Sequence, residues 1–224
     1  MTDANNIVFI FEMIGTIAFA FSGAIIALQN EMDFFGVNVM GMVTAVGGGI
    51  IRDLVLGIVP PSMFMDYRYV LISTVTSSLI FCIVYNNNRM ILYIFKLQDN
   101  HLIIFFDSIG LGIFTVIGIN TAIQAGFSSS VFLLIFVGTI TGIGGGILRD
   151  LMSCSMPIVM KKQIYASASI IGAIIYINIY GYFPKIAAMV IAAVTIVIIR
   201  ILAVRFKWNL PRIRMQNDDK KQYL

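Results

Sequence analysis

The sequence predicts an all-α integral membrane protein with seven transmembrane helices, arranged as two inverted three-helix repeats and a seventh helix. Three observations predict this class: 59% of the 224 residues are hydrophobic and 12% are charged, apolar stretches recur at the length of a membrane span, and the two halves share motifs. A soluble domain usually carries about 25% charged residues. The composition therefore excludes a water-soluble globule, a disordered chain and a nucleic-acid reader.

The predicted spans follow from bilayer thickness. A hydrocarbon core of about 30 Å needs about 20 apolar residues per helix at a rise of about 1.5 Å per residue. Seven stretches meet or nearly meet this length, and the third and sixth are the shortest. The spans are 7–28, 34–59, 69–85, 102–123, 131–153, 164–180 and 186–204.

The distribution of basic residues predicts the orientation, because Lys and Arg near helix ends resist translocation. With seven spans and an inner C-terminus, the inner segments hold eleven Lys and Arg residues, seven of them from Arg200 onward. The outer segments hold only Arg68 and Lys185. We expect a multi-pass protein of the inner (plasma) membrane with its N-terminus outside and a basic cytoplasmic tail at 205–224. The tail either contacts anionic lipid headgroups or serves as a simple cytoplasmic anchor.

An internal repeat divides the chain. Residues 11–29 align without gaps with residues 106–124, and GMVTAVGGGIIRDLVLGIVP at 41–60 aligns with GTITGIGGGILRDLMSCSMP at 138–157. The predicted units are 7–85, 102–180 and the seventh helix at 186–204. Because each unit crosses the membrane three times, the second unit begins on the opposite side from the first, so the repeats are inverted. Proteins with inverted repeats usually have their functional site near the middle of the membrane.

A glycine triplet lies in the middle of the second span and another in the middle of the fifth. Each glycine costs about 1 kcal/mol relative to alanine in a helix interior, which predicts a kink or short unwinding. Carbonyls freed there would line an ion or solute path. Close helix packing through small residues is the alternative interpretation. The triplets are Gly47, Gly48, Gly49, Gly144, Gly145 and Gly146.

Six ionisable residues lie inside the spans and need partners, because a charge at a helix centre costs about 2.5 to 3.5 kcal/mol. Similar depths predict two ion pairs, which either serve conduction or only hold the bundle together. Two further carboxylates would then have no arginine partner, and they would lie near the triplets. The spans would carry a net charge of −2, which favours a path for cations. The predicted pairs are Glu12 with Arg52 and Asp107 with Arg149, and the surplus carboxylates are Asp53 and Asp150.

Matched threonines and phenylalanines are further candidates. Thr44 and Thr141 precede the triplets by three residues, and their hydroxyls either join the lining or bond to their own helix. Phe19 and Phe114 correspond in the two repeats and are candidates for a gate, with core packing as the alternative.

The paired GGGxxRD motifs on the second and fifth helices resemble the prokaryotic trimeric intracellular cation (TRIC) channel family, whose sequence domain is also described as a glycine transporter. The resemblance covers about residues 7–204 and rests on the two triplets with Arg52, Asp53, Arg149 and Asp150. It implies a homotrimer in which each protomer has its own hydrated pore at kinked second and fifth helices. It also implies selectivity for monovalent cations, mainly potassium.

Two function classes remain at this point. The first is a passive potassium-permeable channel, and the second is a secondary transporter of a small zwitterion such as glycine, whose carboxylate an arginine would bind. We expect no enzymatic activity, cofactor or metal site, because Cys82, Cys154 and His101 lie apart from one another and from any catalytic constellation.

Overall fold

The computed structural model describes residues 2–87, 101–161 and 164–208, and every regular element in these ranges is a helix. The helices are α1 (Thr2–Gln29), α2 (Phe34–Leu56), α3 (Ser62–Met65), α4 (Tyr67–Tyr85), α5 (His101–Gln124), α6 (Val131–Met152), α7 (Ile158–Lys161), α8 (Ala166–Ile179) and α9 (Lys185–Arg205). The all-helical prediction is therefore confirmed for the described part of the chain.

Six of the described helices are long and apolar enough to cross a membrane, namely α1, α2, α4, α5, α6 and α9. The sixth predicted span is shorter than expected: α8 has 14 residues, about 21 Å at 1.5 Å per residue. The structure ends this helix before Tyr180 and begins it after a turn at Ile164 and Tyr165. The chain is a multi-pass membrane protein, and its count of seven crossings stays a prediction.

Helices α2 and α6 end in the same way at matching positions of the two repeats. Gly57 and Cys154 each adopt a left-handed conformation, with φ of 73° and 52°. The next amide, of Ile58 or Ser155, donates to the carbonyl of Asp53 or Asp150 at 2.8 and 2.9 Å. Glycine takes this conformation without steric cost, whereas a side chain costs roughly 1–2 kcal/mol. The chain then leaves each helix towards a single-turn helix, α3 or α7.

The contacts between helices repeat in the two halves. Helix α1 packs on α2, and α4 packs on both; α5 packs on α6, and α8 packs on both. The halves meet where α1 contacts α5 and α2 contacts α6. Helix α9 packs on α5 and α8 of the second half. Its contact with the first half is a small one with α1. Helix α9 therefore has no counterpart in the contacts of the first half.

The helices pack on each other through small residues and turn their large apolar side chains outward. Leu71 on α4 and Ile198 on α9, for example, are 52% and 50% exposed. Because lipid is as apolar as these side chains, packing contacts rather than the hydrophobic effect hold membrane helices together. At Gly112 of α5, a Cβ would lie 2.7 Å from the carbonyl oxygen of Ala193 on α9.

Two predictions about basic residues change. Arg200, counted with the inner tail, lies within α9 and is buried, with 2% of its surface exposed. The sum of −2 for the spans therefore becomes −1, with four carboxylates and three arginines. Arg89, Lys96 and residues 209–224 of the predicted tail lie outside the described residues.

Candidate functional site: two charged clusters beside the glycine triplets

The first charged cluster, cluster 1, lies at the end of α2 and consists of Glu12, Arg52, Asp53, Ser62 and Tyr69. The Arg52 Nε donates to Asp53 Oδ1 at 2.7 Å, and both side chains are buried. Asp53 Oδ2 accepts from the backbone amide of Ser62 at 2.7 Å and from its hydroxyl at 2.5 Å. Arg52 Nη2 donates to the same hydroxyl at 3.1 Å. Asp53 thus ties the end of α2 to the first residue of α3.

Glu12 enters cluster 1 through Tyr69, whose hydroxyl donates to Glu12 Oε2. The structure contains no ion pair within 4.0 Å between Glu12 and Arg52 in the described chain, so the predicted pair is wrong. The prediction was based on the similar depths of the two residues, and it took Arg52 and Asp53 to point in different directions because they are adjacent on a helix. The guanidinium of Arg52 reaches back to its neighbour Asp53, whose other oxygen is held by α3, and this satisfies both groups locally.

The second charged cluster, cluster 2, lies at the end of α6 and consists of Asp107, Arg149, Asp150, Tyr165 and Arg200. Arg149 Nη1 donates to Asp107 Oδ1 at 2.7 Å, which is the contact expected from their depths. Arg149 Nε donates to Asp150 Oδ1 at 2.9 Å. Asp150 Oδ2 accepts from the amide of residue 158, the first of α7, at 2.7 Å. In both repeats, therefore, the arginine bonds to the next aspartate, and this aspartate accepts from the amide that begins the following short helix.

Other helices complete cluster 2. Ser22 of α1 accepts a hydrogen bond from Arg149 Nη1, which links the first repeat to the second cluster. The Arg200 guanidinium stacks on the Tyr165 ring at 4.5 Å from its centre, and Arg200 Nη2 lies 4.0 Å from Asp107 Oδ2. Arg200 Nη1 also donates to the carbonyl oxygen of Ile164 at 3.4 Å. The second cluster therefore contains one arginine more than the first.

Asp53 and Asp150 are not surplus carboxylates. Each bonds to the neighbouring arginine and to the amide that begins the next short helix. The inference that free aspartates beside the triplets favour a cation is therefore wrong. Among the four carboxylates of the two clusters, Glu12 is the one that lacks a guanidinium contact. When Glu12 is ionised, cluster 1 has two carboxylates and one arginine, and its net charge is −1. Cluster 2 is neutral, with two carboxylates and two arginines.

The glycine triplets lie where α2 and α6 touch. A Cβ on Gly48 would overlap the carbonyl oxygen of Thr141, and a Cβ on Gly145 would overlap that of Thr44. A Cβ on Gly144 would lie 3.1 Å from the Cα of Gly48. The helical pattern continues through both triplets, so the predicted unwinding is not present. The structure supports the packing interpretation here, and a bend within an intact helix stays a prediction.

The outer glycines of each triplet contact other elements. A Cβ on Gly49 would lie 2.5 Å from the Cε of Met63 on α3. A Cβ on Gly146 would lie 2.8 Å from the Tyr165 hydroxyl oxygen. For Gly47, the nearest atom would be a methyl carbon of Leu148 at 2.5 Å. Each triplet therefore contacts both the facing helix and the segment that carries a charged cluster.

The two threonines before the triplets bond to their own helices. The Thr44 hydroxyl donates to the Met40 carbonyl oxygen at 2.7 Å, and the Thr141 hydroxyl donates to that of Val137 at 2.6 Å. Both side chains are fully buried. They press against glycines of the preceding helix: a Cβ on Gly118 would lie 2.5 Å from the Thr141 hydroxyl oxygen. The hydroxyl protons are therefore engaged within the helices, as the alternative interpretation stated.

Phe19 and Phe114 stack on each other where α1 and α5 cross, with ring centres 5.2 Å apart. Both are 1% exposed. Each ring covers the glycine of the opposite repeat: Phe114 lies 3.0 Å from a Cβ placed on Gly15, and Phe19 would overlap one placed on Gly110. The two rings fill the contact between the repeats.

Comparison with known proteins identifies relatives along the chain. The sequence model described as Glycine transporter matches residues 9–85 and again residues 104–181, two segments close to the predicted repeats. The inner membrane protein YadS of Escherichia coli K12 is 34% identical over 214 residues, which cover 95% of this chain and 99% of YadS. A membrane protein of Vibrio cholerae is 34% identical over 208 residues, covering 92% of this chain and 82% of that protein.

Solved structures share the fold. A crystal structure of a prokaryotic TRIC channel in 0.5 M KCl superposes with a TM-score of 0.80 at 31% identity, covering 92% of this chain and 100% of that one. The TRIC channel orthologue from Rhodobacter sphaeroides gives 0.80 at 28% identity, covering 90% and 99% of the two chains. A structure that explains conductance through TRIC cation channels gives 0.77 at 35% identity, covering 92% and 97%. The resemblance based on the GGGxxRD motifs is therefore confirmed.

Proposed function

Because the chain belongs to the membrane protein family described as Glycine transporter and shares its fold with solved TRIC cation channels, we propose that it conducts monovalent cations passively, chiefly potassium. Each protomer of a homotrimer holds its own path, which runs between α2 and α6 past the two triplets. The N-terminus lies outside and the C-terminus in the cytoplasm. The observation that carries the proposal is the match to TRIC channels over at least 90% of the chain.

The contact of α2 with α6 supplies the central part of the proposed path. In this structure their backbones meet at Gly48 and Gly144, so the path is closed at that level. When the helices part, the triplets themselves contribute no side chain to the gap, and the carbonyl oxygens of Thr44 and Thr141 face it. Carbonyl oxygens replace the hydration shell of potassium in channels. Cation preference then comes from these carbonyls and from the negative charge of cluster 1.

The Arg-Asp pairs hold the ends of the path in this proposal. Asp53 and Asp150 each join their helix to the following short helix, so movement at the triplets shifts α3 and α7 as well. The stacked rings of Phe19 and Phe114 separate the two repeats at the centre and act as the gate, since opening requires α1 and α5 to move apart. Replacing both rings by alanine is therefore expected to raise the open probability.

A carrier of glycine is the second candidate, and two observations favour it. The matching family is described as Glycine transporter, and Arg52 Nη1 is a buried donor without a hydrogen-bond partner. A carboxylate ligand would satisfy such a donor, and the nearby Glu12 carboxylate would accept an ammonium group. The two candidates differ in flux, because a channel passes ions without saturating at millimolar substrate.

The discriminating experiment uses purified protein in liposomes. Potassium flux is followed with a potential-sensitive dye, and glycine uptake is followed with radiolabelled substrate in the same vesicles. The proposal expects potassium flux that is raised in G48A, where the new methyl group separates α2 from α6 at the level that closes the path, and unchanged in the control G181A, where a Cβ meets no atom within 4 Å. Saturable glycine uptake without potassium flux would replace the channel by the carrier.

A further inference from the structure

The charged residues and the tyrosine of the two clusters correspond one to one, except for Arg200. Asp107 corresponds to Glu12, Arg149 to Arg52, and Asp150 to Asp53 in the aligned repeats. Tyr165 occupies the place of Tyr69, fifteen residues after Asp150 instead of sixteen after Asp53. Arg200 has no counterpart, because α9 lies outside the repeats and packs mainly on the second one. The difference in net charge between the two clusters therefore comes from Arg200 of α9.

Arg200 is held in cluster 2 from three sides. Its guanidinium stacks on Tyr165, donates to the Ile164 carbonyl and faces Asp107 Oδ2 at 4.0 Å. This oxygen of Asp107 accepts no hydrogen bond, whereas Oδ1 accepts one from Arg149. Two guanidinium groups therefore flank one buried carboxylate, and Arg149 by itself already pairs with Asp107 and Asp150.

Cluster 1 has no such second cation among the described residues. The Glu12 carboxylate bonds to the Tyr69 hydroxyl, which carries no charge at neutral pH. Arg68, at the start of α4, bonds to the partly exposed Asp66 at 2.5 Å and stacks on Phe9, so its charge is already balanced. Because Gly48 faces Thr141 while Gly145 faces Thr44, α2 and α6 run in opposite directions, and the clusters at their C-terminal ends lie at opposite ends of the bundle. One end is thus neutral and the other is negative.

We propose that Arg200 is a positioning residue that sets the electrostatic asymmetry of the conduction path, by neutralising Asp107 at the cluster 2 end while Glu12 at the cluster 1 end stays uncompensated. This inference rests on the proposed channel function. A negative end concentrates cations and favours current that starts there. The wild-type channel therefore passes cations more readily from the cluster 1 end, and its current rectifies.

The test is the rectification ratio in patches excised from cells that express the full chain, because every copy inserted by the cell has the same orientation. The ratio is defined as the current starting at the cluster 2 end divided by the current starting at the cluster 1 end. R200Q gives cluster 2 a charge of −1 and raises the ratio. For a charge about 10 Å from the ion, Coulomb attraction in water gives a change of about twofold.

Three further variants separate charge from structural damage. D107N gives cluster 2 a net charge of +1 and shifts the rectification ratio in the direction opposite to R200Q. Because the two shifts are opposite, they show an effect of charge whichever face of the membrane each cluster occupies. R200Q/D107N is neutral again and returns the ratio to the wild-type value. R200K keeps the charge without the planar stack on Tyr165 and keeps the wild-type ratio. If R200Q does not fold, D107N and R200Q/D107N differ by the same charge and make the same comparison.

Salt provides the second readout. The Debye length is about 30 Å at 0.01 M and about 3 Å at 1 M ionic strength, so the twofold change is expected in dilute salt and disappears in concentrated salt. Rectification that is equal in R200Q and wild type, or altered equally at both salt concentrations, overturns the inference while leaving the channel function intact. A wild-type protein without current refutes the channel function itself.

Discussion

The contact between Gly48 and the Thr141 carbonyl makes a quantitative prediction for G48A. In an ordinary helix interior this substitution stabilises a protein by about 1 kcal/mol, because alanine has the higher helix propensity. Here the new methyl group overlaps a backbone oxygen of α6, which cannot rotate away as the end of a side chain would. Overpacking costs about 1–3 kcal/mol, and a backbone neighbour places it at the upper end of that range. G48A should therefore lose about 2 kcal/mol of stability.

The double variant G48A/G145A tests the same contact from both sides. Gly145 faces the Thr44 carbonyl in the matching way, so one separation of α2 from α6 relieves both overlaps. The combined loss should therefore be smaller than the sum of the single losses. Unfolding by sodium dodecyl sulfate in mixed micelles, followed by far-ultraviolet circular dichroism, measures these values, with G181A as the control. A G48A protein that is about 1 kcal/mol more stable than wild type would refute the close contact.

Further substitutions probe the same structure by the same unfolding assay. C154G should stabilise the protein by about 1 kcal/mol, because φ at Cys154 is 52° and glycine removes the steric cost of that conformation; an unchanged midpoint would contradict this turn. G57A should destabilise it by about the same amount at the matching turn, where φ is 73°. D107N should lower the free energy of unfolding by about 3–5 kcal/mol, because it removes a carboxylate from the buried Arg149. The control is E31Q, at the exposed Glu31. Equal losses of stability in both variants would argue against the buried pair.

The repeat and the functional motifs were open to prediction from the sequence because they are local patterns. The GGGxxRD motifs, the span lengths and the family resemblance all depend on residues close together in the chain. Counting depth along two neighbouring helices correctly predicts the contact between Asp107 and Arg149, but the same count predicts a pair of Glu12 with Arg52 that the structure does not contain. Helix α8 was harder to define, because apolar residues continue on both sides of its 14-residue helix.

The partners within cluster 1 were not open to prediction in the same way. Asp53 bonds to Ser62 because the chain turns back after α2 into a helix of 4 residues, too short to show a periodic pattern. Tyr69 bonds to Glu12 across 57 positions, and a gap of one residue between the repeats hides its correspondence to Tyr165. A gapped alignment of the repeats would have revealed this tyrosine pair.

The role of the triplets and of Arg200 required the packing itself. Glycine at a midspan position is compatible with an unwound helix or with a tight contact, and only the position of the facing Thr141 carbonyl decides between them. The sequence alone assigns Arg200 to the tail, because basic residues near a C-terminal helix end usually indicate orientation. Its burial against Tyr165 and Asp107 depends on how α9 packs on the second repeat.

The reversal potential of the purified protein in a planar bilayer tests the central claim of cation conduction most directly. Under a tenfold gradient of KCl, a potassium-selective path reverses close to the potassium equilibrium potential, about 59 mV in magnitude for a monovalent ion. The proposed channel predicts this value, with the sign that opposes potassium flow down its gradient. A reversal potential near zero, one of the opposite sign, or the absence of current in protein that takes up glycine would contradict it.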